Sequence, residues 1–489
     1  MSIFNPFKKK KAASPEPPPE EPEPFNLDTP SQTDCLTIRN VVQGTAIFGE
    51  IGSGKSSGSG FALAQAMLAQ DFGFLILTAK PDERSTWERY AAQAGRSQDV
   101  VVFSPENKWR FNFLDYEMRR SGTGGGLTEN VVNLFLAVME IADRSRGSGG
   151  DAFWKDTLKQ LLRSTIDLIS LSGEPLSLMT IYQVILSAPN SLRDVRNNEW
   201  RKKSLCAQLI QKGNEKRKDM DAMRERDFQI TCRYFLSSFA GLNSKTKSII
   251  QTSFSALADT FLRGVLGELF CTTTNIVPEV TYKNGAILII DLPVKQYDQL
   301  GVLSQVLFKY IFQHALERRD TNKYPRIVGV WADEAQLFCA KYDREFTSTS
   351  RSSRVANVYL SQTISGYYAS LGGGDLGKAE SDSLLANFAN RIFHANGCNI
   401  TNNYAADLCG KSWQYRDSFS FSENSNGQGG SQSTSKNESL EHEVLPSDFM
   451  RLRTGGTDNA KCVDAIICKS GGVWNANGKN WLKTTFKQH

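Results

Sequence analysis

Metal-ligand patterns are missing from this sequence. It has only four histidines, His314, His394, His442 and His489, and no two stand at ligand spacing. Its nine cysteines are scattered and form no CxxC pair. Cys462 and Cys468 are too far apart for a zinc knuckle and have no histidine nearby, so free thiols in a reducing compartment are expected. No stretch reaches the ~18 to 20 apolar residues of a membrane span. The longest run, GAILIIDLP at 285–293, has the length of a buried strand. Charge excess is also small: 57 Lys and Arg against 52 Asp and Glu over 489 residues gives a net +5. A polyanionic partner would therefore have to meet a local basic patch. No internal repeat and no secretory signal are apparent, since the lysines of MSIFNPFKKKKAA follow the apolar residues instead of preceding them.

The first 33 residues read as a Lys-rich and then Pro/Glu-rich disordered tail, with SPEPPPEEPEPF as an extended tether. The tip is either a solvated tail or a weak surface anchor, with Ile3, Phe4 and Phe7 in lipid and Lys8 to Lys11 on anionic headgroups. Beyond it, strands alternate with helices: CLTIRN, GTAIF, FGFLILTAKPDE and DVVVFSPE are strand candidates. From 127 to 270 the pattern turns helical. It includes a densely charged run at 201–228 whose usual meaning is a solvated helix face. Strand signals return at AILIIDLP, RIVGVWADEAQLF, VANVYLSQT and ANRIFHANG, and CVDAIICKSGGVW reads as a late strand pair or edge. The organisation expected is an α/β nucleotide-binding domain in two parts, 34–126 and 271–489, interrupted by an all-α insertion at 127–270. Ser/Asn/Gly-rich residues 417–438 are expected to be a flexible loop.

The chemistry concentrates in three places. Gly49-Glu50-Ile51-Gly52-Ser53-Gly54-Lys55-Ser56, with Ser57 after it, matches G-x-x-x-x-G-K-[ST] between an apolar strand and a helix. Such a loop turns backbone N–H groups onto a phosphate; Lys55 neutralises the β and γ oxygens, and the Ser56 hydroxyl ligates Mg²⁺. The apolar strand ending at Ala332 delivers Asp333, expected to orient Mg²⁺, and Glu334, expected to activate water as general base. A second carboxylate favours ATP hydrolysis over nucleoside-kinase chemistry, and no N-K-x-D stands where a guanine reader would. In YLSQT, Gln362 ends the next strand, where an amide can sense the γ-phosphate.

Together these pieces resemble the conjugative coupling proteins (TraG/TraD type) of type IV secretion, within the FtsK/HerA superfamily of ring-forming DNA motors. The likeness spans roughly 35–489. It includes TAKPDE, FSPENKWRFNFLDY with Phe113 where the family has proline, FW at 153–154, DEAQLF, LSQTISGYY and NNYAADLCGKS, in which Ala405 and Gly410 match. The resemblance implies a RecA-like P-loop ATPase assembled as a homo-hexamer, with ATP and Mg²⁺ between subunits and DNA in the central hole. It further implies delivery of a relaxase–DNA complex to the secretion channel at the inner face of the membrane. A neighbouring subunit would supply an arginine, for which Arg351, Arg354 and Arg391 are candidates. Family members usually carry N-terminal membrane helices, which this sequence does not show, so anchoring would fall to the Phe/Lys tip or a separate membrane subunit. Two other readings stay open: an ATP-switched recruitment platform for protein substrates, and a DNA-packaging or processing ATPase of the same superfamily.

Overall fold

The structure is a computed structural model in which residues 34–122, 124–144, 152–422 and 431–488 are described. The expected tail over 1–33 lies outside the described residues.

Short, mostly apolar runs become the central strands. β1 (Thr45–Phe48), β2 (Gly73–Leu77), β4 (Ile287–Ile290), β5 (Val328–Ala332), β6 (Val355–Ser361) and β7 (Asn390–Phe393) are buried along their whole length. Burial on both faces is the state that suits such runs, with Asn357 of β6 and Asn390 and Arg391 of β7 as buried polar exceptions. With β3 (Val100–Phe103), β10 (Cys462–Lys469) and β11 (Trp481–Lys487) they form one nine-stranded sheet in the order β11-β10-β7-β1-β6-β5-β2-β4-β3. Every pair from β7 to β3 is parallel; only the β7–β10 and β10–β11 pairs are antiparallel. This is a RecA-like P-loop sheet with two extra edge strands. Packing against helices makes three layers. One face is covered by helices Phe61–Ala69 and Glu83–Gln93, with Phe74, Trp87 and Trp331 between them. The other carries the helix Val294–Glu317 and the insertion.

Between β3 and β4 the described residues hold helices and no strand. An isolated bridge between Phe111 and Thr274 closes the neck of this insertion. Its core is continuous with that of the sheet: Phe103 lies 5.4 Å from Phe270 and Phe111 lies 4.9 Å from Phe308, ring centre to ring centre. The charged run does not form one long helix. It breaks into Asn198–Lys203, Leu205–Glu215 and Ala222–Arg233, each started by a side-chain cap from Asn197, Ser204 or Asp221.

Three expectations are corrected. CLTIRN is not a strand: Thr37 and Asn40 form a capping box that starts the helix Ile38–Val41. The partner of β10 is β11, beyond the expected CVDAIICKSGGVW segment. The flexible loop over 417–438 is instead, in its described residues, part of a hairpin of β8 (Lys411–Ser422) and β9 (Ser431–His442). Period-two alternation sets aromatics and serines on opposite faces. Trp413 pairs with Leu440, and Ser418 hydrogen-bonds Ser435 across the ladder. Trp413, Tyr415 and Phe419 stay exposed, so burial did not drive this pairing.

Candidate functional site

The phosphate loop leaves β1 at the C-terminal end of the parallel strands, where α/β sheets place their ligands. Gly49 is required by space: a Cβ there would stand 2.3 Å from Ser53 Oγ and 2.9 Å from His394 Cβ. Gly54 combines φ +80° with a neighbour, Val463, that a Cβ would meet at 2.6 Å. The loop is pinned from outside, since Glu50 accepts a hydrogen bond from the Gly397 N–H at 3.1 Å. Ser53 is fully buried and its hydroxyl has no partner among the described residues. Ile51 at the tip is 81% exposed. Ser56–Gly60 wind as a π-turn before the regular helix begins at Phe61.

Four strands bring the candidate groups together. Ser56 Oγ donates to Asp333 Oδ2 at 2.9 Å. Glu334 adopts a left-handed backbone (φ 52°), with its N–H on Asp333 Oδ1 at 2.9 Å. Strain of this kind persists where a site over-determines it. It turns the Glu334 carboxylate toward Lys55, whose Nζ is 4.0 Å from Oε1. Gln362 donates to Glu334 Oε1 at 3.0 Å and Gln336 to Oε2 at 2.9 Å. Burial pushes the Glu334 carboxyl up, but these two amides and the charges of Lys55 and Lys80 outweigh it and hold the carboxyl below the usual range. Glu334 is therefore ionised at neutral pH.

The predicted residues of the loop, Asp333, Glu334 and Gln362, thus converge. Sequence reasoning missed four neighbours. Lys80, at the end of β2, sits 3.8 Å from both Asp333 Oδ2 and Glu334 Oε1. Burial lowers its affinity for a proton, but Asp333, Glu83 and Glu334 raise it by more. Glu83 is pushed up to about 8 by burial and the charge of Asp333, while its Oε2 accepts from the Ala79 N–H at 2.7 Å. The signal for both was the TAKPDE segment. Gln336 had none beyond its place in DEAQ. His394 lies beneath the loop: Ser59 Oγ is 2.6 Å from Nε2, and Nδ1 is 3.0 Å from the Asp464 carbonyl oxygen. A carbonyl only accepts, so Nδ1 carries the proton and Ser59 donates to Nε2. Burial above all moves this imidazole down to about 4.

The arginine candidates separate. Arg391 is buried within β7, donating to Ser470 Oγ and the Leu385 carbonyl, so its guanidinium is held as internal structure. Arg351 and Arg354 are exposed just before β6, at the opposite end of the sheet from the loop.

The residues fit a bound triphosphate with a hard divalent cation. The two glycine turns and the orphan Ser53 hydroxyl line a cradle for oxyanions. Ser56 and Asp333 offer oxygen donors of the kind such a cation takes. Away from this place, no group of three or more His, Cys, Asp or Glu able to hold a metal occurs among the described residues.

A family model described as Type IV secretory system Conjugative DNA transfer matches residues 41–457. No curated protein matches the chain. Among solved structures, the unbound monoclinic form of the bacterial conjugative coupling protein TrwBdeltaN70 superposes with a TM-score of 0.59 at 14% identity, covering 94% of this chain and 91% of that one. The plasmid coupling protein TrwB in complex with ADP and Mg²⁺ gives 0.59 at 14% identity over 93% and 87%. The same protein with a non-hydrolysable ATP analogue gives 0.57 at 14% over 92% and 86%. At this identity the likeness is one of fold.

Proposed function

This chain belongs to the type IV secretory system conjugative DNA transfer family, and from that premise we propose that it is the coupling ATPase of such a system, hydrolysing ATP with Mg²⁺ to drive DNA toward the channel. The observation that carries the reading is the ionised Glu334 carboxylate, held by Gln362 and Gln336 beside Lys55 and next to the Ser56–Asp333 pair. The TrwB structures with an ATP analogue and with ADP and Mg²⁺ support the choice of ligand.

In this reading the loop N–H groups and Lys55 bind the phosphates, and Ser56 and Asp333 would hold Mg²⁺, which supplies charge neutralisation when bound. Glu334 takes the proton of the attacking water. Gln362 and Gln336 fix its two oxygens so that one lone pair stays aimed at that water. Lys80 is a second cation beside the carboxylates, placed to offset charge as the terminal phosphate leaves. The active form would be a homo-hexamer around DNA, with Arg351 or Arg354 as donors from the neighbouring subunit. No helix among the described residues is long and apolar enough to cross a membrane; contact with the inner membrane face would use the 1–33 segment or a membrane subunit. A relaxase–DNA complex is the expected cargo.

The test is the ATPase rate of the full chain with and without single- and double-stranded DNA. DNA-stimulated hydrolysis supports the motor. Hydrolysis indifferent to DNA would replace it with the recruitment-platform reading.

A further inference from the structure

The γ-phosphate end of the loop is marked on one flank of β1. Gln362 just after β6, Glu334 just after β5 and Lys80 just beyond β2 all stand there. The nucleoside must leave by the other flank, past Ser57, because the loop meets the phosphates in order and Ser57 follows the residues assigned to the β and γ groups. That flank is β7, β10 and β11, and it is built tightly against the loop. Val463 of β10 packs on Gly54 and Gly58, and Phe486 of β11 packs on Gly58.

The side chain of Gln488, just beyond β11, occupies this corner. Its Nε2 donates to Ser57 Oγ at 2.9 Å. Its Oε1 accepts from the Gly456 N–H at 2.9 Å. Its own N–H donates to the Lys461 carbonyl at 2.7 Å. One residue thus ties the phosphate loop to the turn 455–461. That turn is strained: Gly455, Gly456, Ala460 and Lys461 all have positive φ, two of them at residues with a Cβ. Such strain is retained where surrounding contacts over-determine a loop, commonly at ligand clamps. A Cβ on Gly455 would stand 2.5 Å from Gln488 Oε1, so the turn and the amide are fitted to each other. Thr457, Asp458, Ala460 and Lys461 are exposed above the clamp.

We propose that the 455–461 turn is the nucleoside side of the nucleotide site, contacting ribose or base, and that Gln488 is the positioning residue that holds it against Ser57. The inference rests on the reading of the loop as a triphosphate site. Gln488 touches the clamp and not the reacting phosphate, so it should set nucleotide affinity and leave the chemical step alone.

The experiment compares ATP with inorganic tripolyphosphate, each with Mg²⁺, on the full chain. Gln488→Ala and Gln488→Met remove the amide, the second with little loss of volume. Both should weaken ATP binding about three- to tenfold, the range for one or two lost hydrogen bonds. Tripolyphosphate affinity, kcat at saturating ATP and the thermal midpoint should stay within about twofold or a degree or two of wild type. Equal weakening of ATP and tripolyphosphate, or no weakening of either, overturns the proposal. Failure of the wild type to bind ATP, or unchanged ATP binding by Lys55→Ala, would instead overturn the underlying site reading.

Discussion

Replacing Glu334 by Gln isolates the one group whose charge the proposed chemistry needs. The substitution keeps shape and can keep most hydrogen bonds: the new carbonyl can still accept from Gln362 or Gln336, and the new NH₂ must turn from the other. One amide-to-carboxylate hydrogen bond is lost, at a cost of about 1.5–3 kcal/mol for a bond to a charged group. Against this, a negative charge leaves the vicinity of Lys55 at 4.0 Å and Lys80 at 3.8 Å. Each of those attractions is worth up to about 4 kcal/mol at an effective dielectric of ~20. The freed ammonium groups are then available to phosphate oxygens, so ATP affinity should hold or rise. Hydrolysis should fall by about 10²–10⁴-fold, the contribution of a positioned general base. Single-turnover hydrolysis and a fluorescent-nucleotide titration on the same preparation separate the two effects. Loss of binding, with hydrolysis falling only in proportion, would refute the reasoning and make Glu334 a structural residue.

Lys55→Ala should abolish both ATP binding and turnover, because Lys80 faces the carboxylates from β2 and is not in the loop; nucleotide titration checks this. His394 should make the loop acid-sensitive. Its folded value of about 4 lies below the ordinary 6.5, so the unfolded chain binds the extra proton first and stability falls as pH drops from about 6.5 to about 4. Thermal midpoints across that window should fall more in wild type than in His394→Gln. Glu83, raised to about 8 from 4.5, has the opposite sign: its contribution is lost as pH rises from about 4.5 to 8, so Glu83→Gln should gain relative stability near pH 8 in the same assay. In the insertion, Arg217 already pairs with Glu225 and Lys212 with Glu174, which leaves Lys216 and Lys218 as the better candidates for phosphate contact. Replacing Lys216, Arg217 and Lys218 with Glu should lower the salt slope of DNA binding by about 0.9 for each lost contact, with DNA-free hydrolysis unchanged; a wild-type slope would move the DNA contacts elsewhere.

Local spacing was enough to specify some of this protein. A glycine loop between an apolar strand and a helix can turn its N–H groups inward without help from distant residues, and an apolar run ending in Asp333-Glu334 carries its carboxylates to the strand end wherever the sheet forms. Those features were legible, as were the parallel strands, because burial on both faces writes itself as a continuous apolar run. Other features depend on residues far apart in the chain, and only the tertiary structure decided them. Lys80 and Glu83 become part of the site because β2 lies beside β5, a neighbour relation no local pattern encodes. Arg391 looked as available as Arg351 until β7 was placed inside the sheet, where a guanidinium must be satisfied internally. The hairpin β8–β9 has the period of a strand pair but not the burial that usually announces one, so its polar composition read as a loop. The clamp from Gln488 to Ser57 spans 431 positions. Its existence follows from β10 and β11 closing the sheet edge beside the phosphate loop, and side-chain hydrogen bonds of that reach leave no periodic trace in a sequence.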